Sequence, residues 1–230
     1  MHLGIDTSDE VAAALVLDDV HAETLADDEP RRHAERLAPL ITELLERQGR
    51  SARDVESIVV GTGPALFTGL RVGLVTARVM GLALGVPVHG VPSLDALAEA
   101  AARWSADLPD GTPLLVVTDA RRREVYWARY EVRDRTAVPV AGPDVAAPAD
   151  VPRTPDDVVL GAGRDLYPEV FGAPDPRLDL RYPTLRHPNP ALLVWIAQRR
   201  LAAGEELPAD PLYLRRPDAV PPTGAKRVLA

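Results

Sequence analysis

The fold is decided by residues 3–17, LGIDTSDEVAAALVL, together with residues 114–132, LLVVTDARRREVYWARYEV. Each stretch opens with an apolar strand, reaches an aspartate, crosses a polar turn and returns as a second strand, which predicts a β-hairpin. Asp6 and Asp119 hold matching places in the two stretches. The recurrence favours two related α/β lobes that each begin with a hairpin. The alternative is that two hairpins occur in one α/β chain by chance.

Helices alternate with short strands between the two hairpins. Apolar residues spaced three and four apart predict a helix over about 31–48, and a second helix over about 68–84 follows a buried strand at 59–60. A short strand at 86–91 then leads to a further helix, which Ser93 is predicted to cap.

Beyond the second hairpin, the chain is predicted to become irregular before a last helix. Proline and acidic residues dominate 139–155, which predicts a loop, and Asn189 followed by Pro190 marks the start of the last helix. These elements place an N-terminal lobe at 1–108, a smaller C-terminal lobe at 109–207 and an extended proline-rich tail at 208–230.

The composition is that of a soluble globular protein, and it excludes several kinds of site. The 230 residues carry a formal charge of −8, are 46% hydrophobic and include no cysteine, which excludes disulfides and thiolate catalysis. Lys226 is the one lysine, so the placed core lysine of Walker-type ATPases and protein kinases is missing. The acidic balance argues against a free-standing nucleic-acid binder. The N-terminus lacks a basic signal-peptide start, and Arg78 and Pro87 interrupt the apolar stretch 72–88, so we predict a cytoplasmic protein without a membrane span.

The densest local motif is GTGPALFTGLRVG at residues 61–73. A glycine-rich loop between a strand and a helix can cradle an anion on its N–H groups, or it can form a tight turn that allows close helix packing. No Lys-Ser/Thr pair follows the glycines, and Leu66 stands where a dinucleotide-binding motif needs glycine. The tight turn is therefore the favoured interpretation.

The helix behind this loop is apolar around most of its circumference. Gly73, Ala77, Gly81 and Gly85 are spaced four apart and form a ridge of small residues that a neighbouring element can approach closely. This ridge either packs inside the chain's own core or receives a helix of a partner. Under the second interpretation, Gly81→Leu is predicted to abolish partner binding and to leave the fold intact.

Two polar turns are candidates for ligand contacts. The first, Asp6, Thr7 and Ser8, offers a carboxylate and two hydroxyls to the magnesium and phosphates of a cofactor, and the alternative is a β-turn closed by an aspartate hydrogen bond. The second turn offers positive charge to RNA phosphates or to acidic groups of a partner protein, and the alternative is a solvated turn. Its residues are Arg121, Arg122 and Arg123.

The sequence contains no recognisable catalytic constellation. The histidines lack a metal-ligand spacing, since Leu37 stands four residues after His33, and no Gly-x-Ser-x-Gly motif is present. We therefore assign this chain no catalytic residue and no metal ligand.

Six motifs, in the same order along the chain, resemble those of the TsaB (formerly YeaZ) family. They are IDTS at 5–8, HAERL at 33–37, GTGPALFTGLRVG at 61–73, VPSLDAL at 91–97, DARRREVY at 119–126 and YLR at 213–215. The resemblance is dense over 1–130 and thin through the proline-rich middle. One departure lies in the glycine loop, where the family usually has Gly-Ser and this chain has Ala65 and Leu66, which weakens any phosphate contact there.

The resemblance implies an α/β, two-lobe, actin-like or Hsp70-like (ASKHA) fold in which the second lobe is reduced. It implies a non-catalytic subunit for the synthesis of N6-threonylcarbamoyladenosine at position 37 of tRNA, one that binds and activates the related subunit TsaD together with the ATPase TsaE. ATP and metal would then belong to the partner subunits, and tRNA would be bound through the complex. The alternative is an independent actin-like ATPase or kinase that uses Asp6 and Asp119.

The resemblance also implies where the partner docks. The helices at 31–48 and 68–84 would pack against TsaD, or against a second copy of this chain when TsaD is absent. The interface residues predicted on these helices are His33, Leu37, Arg71, Leu74, Ala77, Arg78 and Gly81.

Overall fold

The computed structural model describes residues 1–27, 33–105, 108–178 and 185–215, and its N-terminal part is built on a five-stranded sheet. The strands are β1 (His2–Asp6), β2 (Val11–Val16), β3 (Ala22–Asp27), β4 (Ser57–Gly61) and β5 (Val88–Val91). Their order is β3-β2-β1-β4-β5. The first three strands pair antiparallel, whereas β1, β4 and β5 run parallel.

The second sheet repeats this arrangement with one strand fewer in the described part of the chain. Its strands are β6 (Pro113–Arg121), β7 (Glu124–Arg133), β8 (Thr136–Ala146) and β9 (Val158–Leu160), in the order β8-β7-β6-β9. The directions match as well, since β6 is antiparallel to β7 and parallel to β9. The predicted two-lobe, actin-like α/β fold with a reduced second lobe is therefore confirmed.

Six helices connect and cover the sheets in the described residues. They are α1 (His33–Arg47), α2 (Phe67–Leu84), α3 (Ser93–Trp104), α4 (Ala162–Leu166), α5 (Pro168–Phe171) and α6 (Pro190–Ala202). The predicted start of α6 is confirmed, because the Asn189 side chain accepts a hydrogen bond from the N–H of Ala191 and Pro190 occupies the first turn.

The helices form two layers on opposite faces of the first sheet. One core cluster joins β1 and β4 to α1 and α2 through residues such as Ile5, Leu44 and Leu70. The other cluster places α3 and α6 between the two sheets, so that both lobes share one core. Helix α6 follows the second lobe in sequence but approaches β1 so closely that a Cβ added to Gly4 would lie 2.4 Å from the carbonyl oxygen of Pro190. The lobe boundaries at 108 and 207 therefore stay a proposal.

Two buried acids of α3 bind this shared layer together. The Asp95 carboxylate accepts a hydrogen bond from the Tyr130 hydroxyl and pairs with Arg200, both at 2.7 Å. Glu99 pairs with Arg199 at 2.7 Å. Burial raises the pKa of Asp95 despite these partners. The acids thus link the first lobe to α6 and to the second sheet.

The predicted loop over 139–155 is wrong in its first half, because β8 continues to Ala146. Strand β8 lies at the edge of its sheet, so no further strand of the described chain pairs with its outer side. Pro139 and Pro143, which have no backbone N–H to donate, are tolerated in an edge strand of this kind. The proline-rich composition that predicted a loop is therefore equally compatible with an edge strand. Strand β3, the other antiparallel edge, was not predicted either.

Candidate functional site

The glycine-rich loop joins β4 to α2 and uses its polar groups inside the chain. The N–H of Gly63 donates to the Ser93 hydroxyl at 3.1 Å, and the N–H of Ser93 donates to the carbonyl of Gly63 at 2.7 Å. From the second lobe, the Tyr126 hydroxyl donates to the carbonyl of Ala65 at 3.2 Å. These contacts favour the tight turn over the open anion cradle.

Asp6 lies at the centre of this arrangement and is only 1% exposed. One carboxylate oxygen accepts from the N–H and the hydroxyl of Ser8, at 2.8 and 2.6 Å, and the other accepts from the Ser93 hydroxyl at 2.6 Å. No cation faces Asp6 among these partners, and burial raises its pKa from the ordinary 3.8 to about 6. The carboxylate is thus an internal hydrogen-bond acceptor.

Thr7 attaches the same turn to the start of α2. Its hydroxyl donates to the carbonyl of Gly69 at 2.9 Å and accepts the N–H of Gly73 at 3.1 Å. The candidate cofactor residues Asp6, Thr7 and Ser8 are therefore brought together, and their side chains fix the glycine loop and α2. A direct cofactor contact by these residues stays a prediction.

Ser93 has a different role from the one predicted. It is the first residue of α3 rather than its cap, Pro92 holds the capping position, and the Ser93 hydroxyl bridges Asp6 and Gly63. The partners are 87 and 30 residues away in sequence, so helix-capping rules could not find them. The one sequence signal for this role of Ser93 was its place in the VPS stretch at 91–93.

The second hairpin carries Asp119 at the place that Asp6 has in the first. Asp6 is paired across the hairpin with Ala12, and Asp119 with Val125. Unlike Asp6, the Asp119 carboxylate forms an ion pair at 2.8 Å with Arg121. Residues Arg121, Arg122 and Arg123 are exposed and left-handed, with φ of 61°, 55° and 64°. A contact of these arginines with RNA or a partner stays a prediction.

Three residues of the small-residue ridge, Gly73, Ala77 and Gly81, pack inside this chain, which corrects the partner-facing interpretation, whereas Gly85 is exposed at the C-cap of α2. A Cβ added to Gly73 would lie 2.5 Å from the Thr7 hydroxyl oxygen, and one added to Gly81 would lie 2.3 Å from a methyl carbon of Val88. Four predicted interface residues are thus in the interior, because these sides of α1 and α2 cover their own sheet. They are Leu37, Leu74, Ala77 and Gly81.

The remaining predicted interface residues are placed differently. Arg71 and Arg78 are exposed on α2. His33 begins α1, and its side chain lies outside the described part of the structure.

The opposite side of α2 is exposed and apolar. Val75, Val79 and Leu82 are 58%, 60% and 87% exposed and form what we call the α2 outer face. They are spaced four and three residues apart, so they lie along one side of the helix. A contiguous apolar stripe of this kind is typical of a protein contact.

Helix α2 also has the length and apolar composition of a membrane span, the one such helix in the described ranges. Core helices pass the same test, so this is weak evidence. Leu70 and Leu74 pack its inner side against the first sheet, so part of its apolar character belongs to the core.

A family model and a solved structure identify the class of protein to which this chain belongs. A family model described as TsaD, tRNA N6-adenosine threonylcarbamoyltransferase, matches residues 27–161. The crystal structure of YeaZ from Pseudomonas aeruginosa superposes with a TM-score of 0.77 at 29% identity, covering 93% of this chain and 99% of that one. The protein is therefore an actin-like protein of the TsaD class.

Relatives in sequence indicate the particular family within this class. Escherichia coli (strain K12) has a protein named tRNA threonylcarbamoyladenosine biosynthesis protein TsaB that is 29% identical over 223 residues, covering 93% of this chain and 94% of that protein. An uncharacterized protein of Mycobacterium leprae (strain TN) is 42% identical over 226 residues, and this chain covers 56% of its length. The chain belongs to the TsaB (YeaZ) family.

We expect Gly81→Leu to lower the free energy of unfolding by about 3 kcal/mol, because the new side chain would overpack the contact with Val88. Leu82→Ser, one residue further, should change the stability by less than about 0.5 kcal/mol, because Leu82 is 87% exposed. Urea unfolding of both variants measures the difference. Equal midpoints for Gly81→Leu and wild type would show that the ridge does not pack on β5.

Proposed function

We propose that this chain is a non-catalytic subunit for threonylcarbamoyladenosine synthesis on tRNA, acting in the cytoplasm by binding and activating TsaD together with TsaE. The name of the E. coli relative supports the pathway. The observation that carries the docking role is the α2 outer face, which no described part of the chain covers. In the absence of TsaD, a second copy of this chain would take the same place.

The docking role has a simple physical basis. Val75, Val79 and Leu82 leave most of their apolar surface in water, and transfer of such surface into a contact contributes about 25 cal/mol per Å². The inner side of α2 already holds the helix on its sheet, so the outer face is presented without a rearrangement. A rigid, preformed helix loses little entropy on binding.

The internal use of Asp6, Thr7 and Ser8 supports a scaffold more than an enzyme. An independent actin-like ATPase or kinase needs Asp6 and Asp119 free to face magnesium and phosphates, whereas Asp6 is 1% exposed and hydrogen-bonded to Ser8 and Ser93. ATP and metal would act in the partner subunits. Within the complex, Arg121, Arg122 and Arg123 could meet tRNA phosphates, and that contact should weaken steeply with salt.

The test is threonylcarbamoyladenosine formation on tRNA with TsaD, TsaE and the adenylate donor held fixed, with and without this chain. We expect product only when the chain is present. Val79→Glu should lower both product and affinity for TsaD at least about 30-fold, because it places a charge in the centre of the apolar contact. Val20→Glu is the matched control, since Val20 is 76% exposed in the β2–β3 turn, and it should behave as wild type. Equal product without the chain would contradict the proposal.

A further inference from the structure

The described end of the chain, residues 207–215, crosses the first lobe as an extended segment that we call the strap. The N–H of Gly90 in β5 donates to the carbonyl of Leu207, and the N–H of Leu212 donates to the carbonyl of Thr62, both at 2.9 Å. At its far end, Arg215 donates to the carbonyl of Ala120 at 2.7 Å. The strap is therefore held at both ends, on β5 and on the second hairpin.

Between these points the strap engages both charged side chains of α2. Arg78 donates to the carbonyl of Ala209 at 2.6 Å and to the Asp210 carboxylate at 2.8 Å. Arg71 donates through Nε to the Tyr213 hydroxyl at 2.9 Å. The two arginines are seven residues apart and lie on one side of the helix, next to the α2 outer face. The strap thus forms a rim along this face.

Arg71 is held in a fixed orientation by two aromatic rings. Its guanidinium carbon lies 3.5 Å from the ring centre of Phe67 and 5.9 Å from that of Tyr213, and the two rings are 5.1 Å apart. Phe67 and Tyr213 remain 37% and 40% exposed. Within the described residues, the two terminal nitrogens of Arg71 have no hydrogen-bond acceptor. This cluster presents a planar fork of donors at the surface.

We propose that the strap and α2 form one docking surface, in which Phe67 and Tyr213 hold Arg71 to receive a carboxylate from an otherwise apolar partner helix. This inference rests on the proposed docking of a partner on α2. A guanidinium fork matches a carboxylate in two parallel hydrogen bonds, and stacked aromatic and arginine side chains are the residues that dominate protein contacts. Helix α2 contains no acidic residue, and the one carboxylate of the strap, Asp210, is already paired with Arg78, so a second copy presenting this same surface offers no unpaired carboxylate to Arg71. The occupant is therefore a different protein that carries an acid beside apolar side chains.

The test measures binding of purified TsaD by titration calorimetry, using full-length variants of this chain. Tyr213→Ala should weaken binding at least about 10-fold, and Arg71→Lys should weaken it similarly because lysine keeps the charge but lacks the planar fork. Tyr213→Phe, which keeps the ring and loses only the hydroxyl that orients Arg71, should have a smaller effect. Thermal unfolding of each variant checks that the fold is retained, and Arg71→Lys decides the matter if Tyr213→Ala fails to fold.

The outcomes separate this inference from the proposed function. If Val79→Glu abolishes binding while Tyr213→Ala, Tyr213→Phe and Arg71→Lys all bind as wild type, the strap is no part of the surface and the inference is overturned, while docking on α2 stands. If Val79→Glu also binds as wild type, docking on α2 itself is wrong. A loss of self-association in Tyr213→Ala without a loss of TsaD affinity would make the occupant a second copy and would likewise overturn the inference.

Discussion

Replacing Gly61 by alanine is expected to lower the free energy of unfolding by about 3–5 kcal/mol, because it would displace a buried carboxylate from its hydrogen bonds. A Cβ at this position would lie 1.8 Å from a carboxylate oxygen of Asp6 and 2.6 Å from the Ser93 hydroxyl oxygen. Neither group can move away easily, since Asp6 is 1% exposed and Ser93 is fully buried. One methyl group would thus disrupt the contact between β1, β4 and α3.

Urea unfolding measures this change, and Gly49→Ala is the control. Gly49 has a left-handed backbone with φ of +59° and nothing within 4 Å of an added Cβ, so its variant reports only the backbone cost, about 1 kcal/mol. Gly61 has no left-handed backbone conformation, so its effect is steric. A loss at Gly61 no larger than that at Gly49 would mean that Asp6 and Ser93 are not packed against β4 as described.

The two hairpins were predictable because their signals are local. An apolar strand, an aspartate and a polar turn lie together in sequence, and the same pattern occurs twice, so Asp6 and Asp119 could be matched before their pairing with Ala12 and Val125 was known. The start of α6 at Asn189 was predictable for the same reason, since a helix cap depends on its immediate neighbours.

The orientation of α2 could not be predicted from its own sequence. A helix that is apolar all round gives no sign of which side faces the core. The inner side is selected by groups that lie elsewhere in the chain, namely the Thr7 hydroxyl against Gly73 and the Val88 side chain against Gly81. Small residues spaced four apart were thus correctly recognised as a site of close approach, but the approaching element is this chain's own sheet.

The strap escaped prediction because nothing in its sequence defines regular structure. Residues 208–215 contain no helix or strand, so the periodicity of apolar residues gives no information about their position. Their position is set by single contacts with distant residues, such as Tyr213 with Arg71 and Arg215 with the second hairpin. The YLR motif at 213–215 marked these residues as notable without indicating what they touch.

Asp6 is buried without a neighbouring cation among the described residues, and this predicts that the stability of the fold depends on pH. In the folded chain its pKa is about 6, against an ordinary value of 3.8. Between these values the folded state keeps the Asp6 proton while the unfolded state loses it, so this group stabilises the fold most below 3.8 and loses that contribution as the pH rises through 6. The loss amounts to about 3 kcal/mol, at about 1.36 kcal/mol per pH unit.

Comparison with Asp6→Asn isolates this contribution. An amide of the same shape does not titrate, so the difference in unfolding free energy between wild type and Asp6→Asn should shift by about 2–3 kcal/mol against wild type from pH 4 to pH 8. The hydrogen bond with Asp9 raises the pKa of His187, but His187 is present in both proteins, so the comparison removes most of its contribution. Urea unfolding at pH 4, 5, 6, 7 and 8 gives the two curves. If they run parallel, Asp6 ionises at its ordinary pKa, and the closed network with Ser8 and Ser93 does not exclude water from the carboxylate.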